Sequence, residues 1–170
     1  MTAVGRMVCL TLAVLVAGCA AGHKARPVNT AKVLDTIKAN EVQSNADWAA
    51  HDVAKIVGFF SPDASVILPG APIMTGTKAL TDGIGKTLDD PNFALTFASD
   101  RVYVAASGDL AVARGSYRQS GTDPATGAAA TTTGTYVTVF RPQPDGSWKG
   151  VWDIVTPGPS IPGPPAPAAK

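Results

Sequence analysis

Hydrophobic and polar positions follow two different periods along the chain, and the change of period separates helices from strands. Residues 31–50 place apolar side chains on one half of a helical wheel, with Thr30 as the predicted N-cap. The apolar half is formed by Val33, Leu34, Ile37, Val42, Trp48 and Ala49. Two shorter helices are predicted, from Asp52 to Phe60 and from Lys78 to Leu88. Because the first helix is amphipathic, we expect it to lie on a sheet.

After residue 92 the pattern changes to the period of two that is typical of strands. Together with one earlier short strand, the predicted strands cover residues 64–68, 93–105, 110–120, 131–141 and 148–155. A bulge is expected near Ser99 and Asp100, and a hairpin turn at Ser107-Gly108-Asp109. Three helices followed by an antiparallel meander indicate the α+β class.

The last predicted strand is apolar on both faces. One face holds Trp148, Trp152 and Ile154, and the other holds Lys149, Val151, Asp153 and Val155. A sheet that is apolar on both sides must be covered on both sides. A shift of one residue in the preceding hairpin would exchange the two faces, so the pattern leaves open which face carries Asp153.

Both ends of the chain differ in composition from the domain at residues 30–156. Residues 1–18 contain a basic start and a short apolar run that ends in Leu15-Val16-Ala17-Gly18-Cys19. This segment resembles a bacterial lipobox, which implies a signal peptide at 1–18, lipid attachment at Cys19 and a lipidated tether at 19–29. An ordinary secretory signal is the alternative. The expected location is the cell envelope, anchored in the outer membrane and facing the periplasm.

The opposite end, residues 157–170, consists mostly of Pro, Gly, Ala and Ser and predicts a disordered tail. Charge is nearly balanced, with 14 basic and 13 acidic residues, and no basic stripe supports a nucleic-acid partner. The only cysteines are Cys9 and Cys19, so the domain is expected to lack an internal disulfide. The two histidines, His23 and His51, stand alone, and no metal site or cofactor is predicted.

A series of short segments carries a resemblance to a known family. In chain order, they include Trp48-Ala49-Ala50-His51-Asp52, Phe60-Ser61-Pro62-Asp63-Ala64, Gly76-Thr77, Gly115-Ser116-Tyr117, Gly146-Ser147-Trp148-Lys149 and Asp153-Ile154. Together they resemble the NTF2-like superfamily, and within it the SnoaL-like (DUF4440-type) branch. The resemblance implies a cone, in which a curved antiparallel sheet wraps around a long N-terminal helix, with two shorter helices and a pocket at the open end. It also implies a homodimer formed through the outer sheet face.

The resemblance is stronger evidence for the fold than for an activity. The superfamily includes ketosteroid-isomerase-like enzymes, cyclases, dehydratases and non-catalytic binders. It places the isomerase's general base on Leu68 and its oxyanion-hole tyrosine on Ser44. Because leucine cannot take a proton and serine is a shorter donor, steroid-isomerase chemistry is not expected.

Two acids remain as candidate catalytic groups. Glu41 lies inside the apolar arc of the first helix, and Asp153 lies between valines in the last strand. Burial would raise the pKa of the Glu41 carboxyl toward the range of a general acid or base. Asp153 could face the cavity and orient a ligand or water there. Asp153 could instead pair with Arg114 on a neighbouring strand. The predicted ligand-binding residues are Trp48, Arg114, Tyr136 and Asp153.

Three functions follow from these residues. The first is an anchored module that binds a small, mostly apolar molecule in the cone without catalysis. The second is an acid–base enzyme of the isomerase, cyclase or dehydratase kind that uses Glu41 or Asp153. The third is an envelope interaction module whose cone is filled by side chains.

Overall fold

A computed structural model describes the backbone of residues 28–162 and the side chains as far as Gly158. The predicted signal peptide, Cys19, the tether before Val28 and residues 163–170 lie outside this part of the chain. Within residues 28–162, no helix combines the length and the apolar character needed to cross a membrane.

Three helices form at the predicted places. They are α1 (Thr30–Ala49), α2 (Val53–Gly58) and α3 (Gly76–Leu88). The N-cap of α1 is Asn29 rather than Thr30, because the Asn29 side chain accepts a hydrogen bond from the Lys32 amide. Asp52 caps α2 as predicted, and its carboxylate accepts from the Lys55 amide.

The buried stripe of α1 differs in part from the apolar half of the helical wheel. Val33 and Ile37 are buried as expected, but Val42 is 73% exposed. The C-terminal half of the stripe consists of the polar residues Glu41, Ser44 and Asp47. A polar side chain can be buried at low cost when it is hydrogen-bonded. The helical wheel underestimated the burial of these three positions because it ranks residues by hydropathy alone.

Six strands form one curved sheet. They are β1 (Phe60–Ile67), β2 (Met74–Thr75), β3 (Ala94–Val104), β4 (Ala111–Thr122), β5 (Ala129–Pro142) and β6 (Trp148–Pro162). Their order across the sheet is β2-β1-β6-β5-β4-β3, and β3 to β6 form the predicted antiparallel meander. The expected bulge in β3 is present between Ser99 and Arg101. Three features differ from prediction: β1 begins earlier, it runs parallel to β6, and β2 was not foreseen.

A bulge in β6 decides which way its side chains point. Phe140 of β5 faces Gly150, but Val139 faces Trp152, so Val151 is an extra residue in β6. Because one extra residue reverses the alternation, Trp148 is buried whereas Trp152 is 58% exposed. The prediction that these two tryptophans share a face was therefore wrong. β6 also continues to Pro162, so residues 157–162 are strand rather than disordered tail.

Two hydrophobic clusters hold the sheet against the helices. One packs the start of α1 on the sheet and contains Val33, Ile37, Phe140 and Trp148. The other joins α2, α3 and β1 through buried residues that include Ile56 and Leu80. Between the clusters, the C-terminal half of α1, α3 and the inner sheet face enclose a pocket.

Candidate functional site

The pocket has a volume of about 140 Å³ and mostly apolar walls. Its apolar lining comes from both helices and sheet, and includes Trp48, Phe60, Leu68, Met74, Phe97 and Val155. Gln119 is the exposed residue among those that line it, and so marks the mouth. A concave, apolar space with few polar groups is the usual form of a small-molecule site.

Asp153 supplies the carboxylate of this pocket. It lies between Thr138 of β5 and Val66 of β1, and all three residues line the cavity. Thr138 Oγ1 donates a hydrogen bond to Asp153 Oδ1 at 2.6 Å. Burial raises the pKa of the Asp153 carboxyl to about 6, and the hydrogen bond from Thr138 opposes this rise in part. Asp153 can therefore exchange a proton near neutral pH.

Glu41, the other predicted proton carrier, lies behind the pocket wall. Tyr136 Oη donates to Glu41 Oε1 at 2.8 Å, and Ser99 Oγ donates to Oε2 at 2.6 Å. The Ser99 amide donates to the same Oε2 at 3.3 Å. Tyr136 lines the pocket and Glu41 does not, so the tyrosine ring stands between the carboxylate and the cavity. Glu41 is buried as predicted, but its carboxylate joins α1 to the sheet through Tyr136 and Ser99 and does not line the pocket.

Tyr136 lines the pocket as predicted, and its hydroxyl stays protonated. Burial raises the pKa of Tyr136 well above its ordinary value, and the hydrogen bond to Glu41 raises it further. The Tyr136 hydroxyl donates its hydrogen bond to Glu41 and not to a ligand. Tyr136 therefore contributes mainly to the shape of the cavity.

The structure does not bring Arg114 to the pocket. Its guanidinium pairs with Asp100, with Nη2 2.8 Å from Oδ2 and Nε 3.1 Å from Oδ1. Arg114 lies between the buried inner-face residues Ala113 and Gly115, so alternation directs it to the exposed outer face. The predicted pairing of Arg114 with Asp153 is therefore wrong, and Thr138 is the partner of Asp153 instead.

The remaining predicted positions do lie at the pocket. Trp48 forms part of its wall and packs on Phe93 with 5.6 Å between ring centroids. Ser44 and Leu68, onto which the isomerase's catalytic groups fall by resemblance, also line it. Thr138 was missed, although it follows Tyr136 by two residues and alternation therefore places both on one face.

Nothing within residues 28–162 gathers three side chains suited to hold a metal ion. His51 follows α1 at the surface, where it adopts a positive φ of 54°. Asp153 is thus the carboxylate among the described residues of the pocket, with the Thr138 hydroxyl beside it. The other polar side chains that line it, which include Ser44, Tyr117 and Gln119, are uncharged.

Comparison with known proteins agrees with this geometry. A family described as SnoaL-like domain matches residues 43–151. None of the curated proteins matches the chain. Among solved structures, a ketosteroid isomerase-like protein from Erwinia carotovora atroseptica is similar, with a TM-score of 0.64 and 20% identity over 73% of this chain and 95% of that one.

Two further structures show the same fold. An NTF2-like superfamily protein from Salmonella enterica serovar Typhimurium has a TM-score of 0.64 and 20% identity over 82% of this chain and 96% of its own. A type 2 hexachlorocyclohexane dehydrochlorinase has a TM-score of 0.63 and 14% identity over 84% of this chain and 98% of its own. The structure has a sheet wrapped on a long helix with a pocket between them, and the family match covers residues 43–151. The chain therefore belongs to the SnoaL-like domain family, with an NTF2-like fold.

Proposed function

We propose that the domain binds a small, mostly apolar molecule in its pocket and that Asp153 exchanges a proton with it. The observation that carries this proposal is a single carboxylate in a mostly apolar wall, with a pKa raised to about 6 by burial. A general acid or base works best when its pKa lies near the working pH. Perturbed carboxyls in clefts are typical of functional sites.

The proposed chemistry needs only groups that the pocket contains. The ionised carboxylate of Asp153 takes a proton from the carbon next to a carbonyl group of the bound molecule, and the electron pair of that C–H bond moves to the carbonyl oxygen to form an enolate. The resulting carboxylic acid of Asp153 returns the proton at the same or a nearby carbon, and the carbonyl group forms again. Thr138 holds the carboxylate in place through its hydrogen bond to Oδ1. The apolar walls exclude water, which strengthens the interaction of the carboxylate with a partly charged ligand.

Deuterium incorporation from D₂O into cyclohexanone, a neutral one-ring ketone, tests this proposal without knowledge of the natural substrate. The wild-type protein should accelerate exchange of the α-protons, and Asp153→Asn should slow the catalysed exchange by on the order of 10²-fold or more. Asp145→Asn is the matched control, because it makes the same change in an exposed turn. Equal exchange by wild type and Asp153→Asn would exclude Asp153 as the proton carrier.

A second candidate function is binding without turnover. It is favoured by the absence of a second carboxylate among the described residues that line the pocket, since Glu41 is screened by Tyr136. It is also favoured by Leu68 and Ser44 at the positions where the resemblance implies catalytic groups. Binding of small neutral molecules with no catalysed exchange, measured on the same protein, would support this candidate over the first.

We also propose that the domain is held at the envelope through lipid on Cys19, with the pocket open to the periplasm. The support is the lipobox-like sequence before this residue. Cys19→Ser should move the protein from the membrane fraction to the soluble periplasmic fraction after cell fractionation. Retention of this variant in the membrane would contradict lipid attachment at Cys19.

A further inference from the structure

We infer that the pocket selects neutral one-ring molecules carrying a hydroxyl or carbonyl group, and that it rejects carboxylates and polycyclic compounds. This inference rests on the proposed function of the same pocket and specifies the class of its ligand. Three features carry it: the enclosed volume, the way Met74 limits that volume, and the charge of the wall.

The enclosed volume suits one ring. An apolar cavity of roughly 150 Å³ in another protein holds one benzene molecule, and this pocket, which opens to solvent beside Gln119, has a volume of about 140 Å³. A steroid has four fused rings, whereas this volume suits one ring. A bound steroid would therefore have to extend through the mouth beside Gln119. The chain therefore combines a fold found in a ketosteroid isomerase-like protein with a pocket too small to enclose a steroid.

Met74 sets one boundary of the cavity. It lies on β2, and its sulfur packs directly on Gly83 of α3, which leaves no room for a side chain at that position. Both residues line the pocket. Methionine is flexible and unbranched, so this side chain can adapt to small differences in ligand shape. Its removal should enlarge the space between β2 and α3.

The charge of the wall excludes anions. Among the described residues that line the pocket, none is Lys, Arg or His, and Asp153 is the ionisable carboxylate. An anionic ligand would lose its hydration without gaining a cation, and it would also be repelled by ionised Asp153. A neutral hydroxyl can instead donate to the carboxylate, whose Oδ1 already accepts from Thr138.

Benzyl alcohol and benzoate form a matched pair for the test, since they share ring and size and differ in charge. Their dissociation constants at pH 7.5 are measured by ¹H–¹⁵N NMR titration, alongside the neutral four-ring ketone progesterone. Wild type should bind benzyl alcohol at least roughly tenfold more tightly than benzoate, because a nearby like charge is costly in an apolar site. Asp153→Asn should reduce this ratio, and Met74→Ala should improve progesterone binding relative to benzyl alcohol.

The outcomes separate the inference from the function on which it rests. If benzoate binds wild type as tightly as benzyl alcohol, or if progesterone binds wild type and Met74→Ala alike, the selectivity is refuted while a binding pocket remains. If none of the three compounds shifts the resonances of pocket residues, the proposed binding function itself fails. The ¹⁵N spectrum of each variant reports whether it is folded, so loss of structure is not mistaken for selectivity.

Discussion

The position of Asp153 depends on three neighbours. Val151 forms the bulge that turns Asp153 inward, Thr138 donates to its carboxylate, and Val66 lies beside it on β1. Sequence alternation identified Asp153 as an acid among valines but could not assign its face, because the bulge depends on pairing with β5. Glu41 shows the reverse case, since its burial was predictable from the helical period but its screening by Tyr136 was not.

The raised pKa of Asp153 predicts a distinctive dependence of stability on pH. Its pKa is about 6 in the folded protein, against 3.8 ordinarily, so the folded state binds this proton more tightly. The resulting stabilisation is fully present below about pH 4 and is lost as pH rises through 6. Relative to Asp153→Asn, the wild type should therefore lose on the order of 3 kcal/mol of unfolding free energy across the full range, and about 2 kcal/mol of it between pH 4.5 and 7.5.

Urea denaturation of both proteins at pH 4.5 and 7.5 checks this expectation. Asp63, Asp90 and Asp100 have pKa values lowered by their hydrogen-bond partners, and they make stability rise with pH in both proteins alike. The comparison with Asp153→Asn removes their contribution. Parallel stability curves for the two proteins would argue that Asp153 titrates as an ordinary exposed carboxyl.

At the scale of elements, Asn45 joins α1 to the edge strand β3. Its Oδ1 accepts from the Phe97 amide at 2.9 Å, and its Nδ2 donates to the Phe97 carbonyl at 2.8 Å. The side chain thus takes the place of a neighbouring strand at this residue. Phe97 lines the pocket and packs edge-on against Tyr136, so the same contact fixes one wall of the site.

Asn45→Ala should destabilise the protein by about 1–3 kcal/mol, because both backbone groups of Phe97 lose their partner. Hydrogen exchange of the Phe97 amide should accelerate, and denaturation should report the loss in stability. Asn40→Ala is the matched control on the same helix, since Asn40 makes one hydrogen bond, to the Trp148 carbonyl. A smaller loss for Asn45→Ala than for Asn40→Ala would contradict the role assigned to Asn45.

The elements themselves were largely predictable, and the exceptions have physical causes. The three helices and the meander follow from periodicity, which reflects burial of one face. β2 was missed because two residues are too few to show alternation, and its pairing with β1 depends on contacts distant in sequence. The extension of β6 to Pro162 was missed because composition indicated a tail, whereas pairing with β5 orders the backbone there.

At the scale of the whole molecule, the outer sheet face carries an exposed apolar row. Tyr103, Val112, Val139 and Trp152 face one another in a row across β3, β4, β5 and β6. Tyr103 is 60% and Trp152 58% exposed. Exposed apolar rows of this kind are typical of interaction surfaces, and we propose that a second copy of the chain covers this one, as the family resemblance implies.

Trp152→Glu should convert such a dimer to a monomer, since it places a charge in the apolar row without disturbing the buried face. Sedimentation equilibrium of residues 28–162 measures the change. Val42→Glu is the control, because Val42 is exposed on the helix, away from the sheet. A monomeric wild type at high concentration would remove the outer face as a self-association surface.

Titration of the Asp153 carboxyl carbon by ¹³C NMR measures directly the proton exchange on which the proposed function depends. We expect a midpoint near pH 6, and a higher midpoint in Thr138→Val because the hydrogen bond that favours the ionised carboxylate is gone. Benzyl alcohol should perturb the same resonance. A midpoint at the ordinary value of 3.8, unchanged by Thr138→Val and by benzyl alcohol, would contradict a buried proton carrier in a ligand pocket.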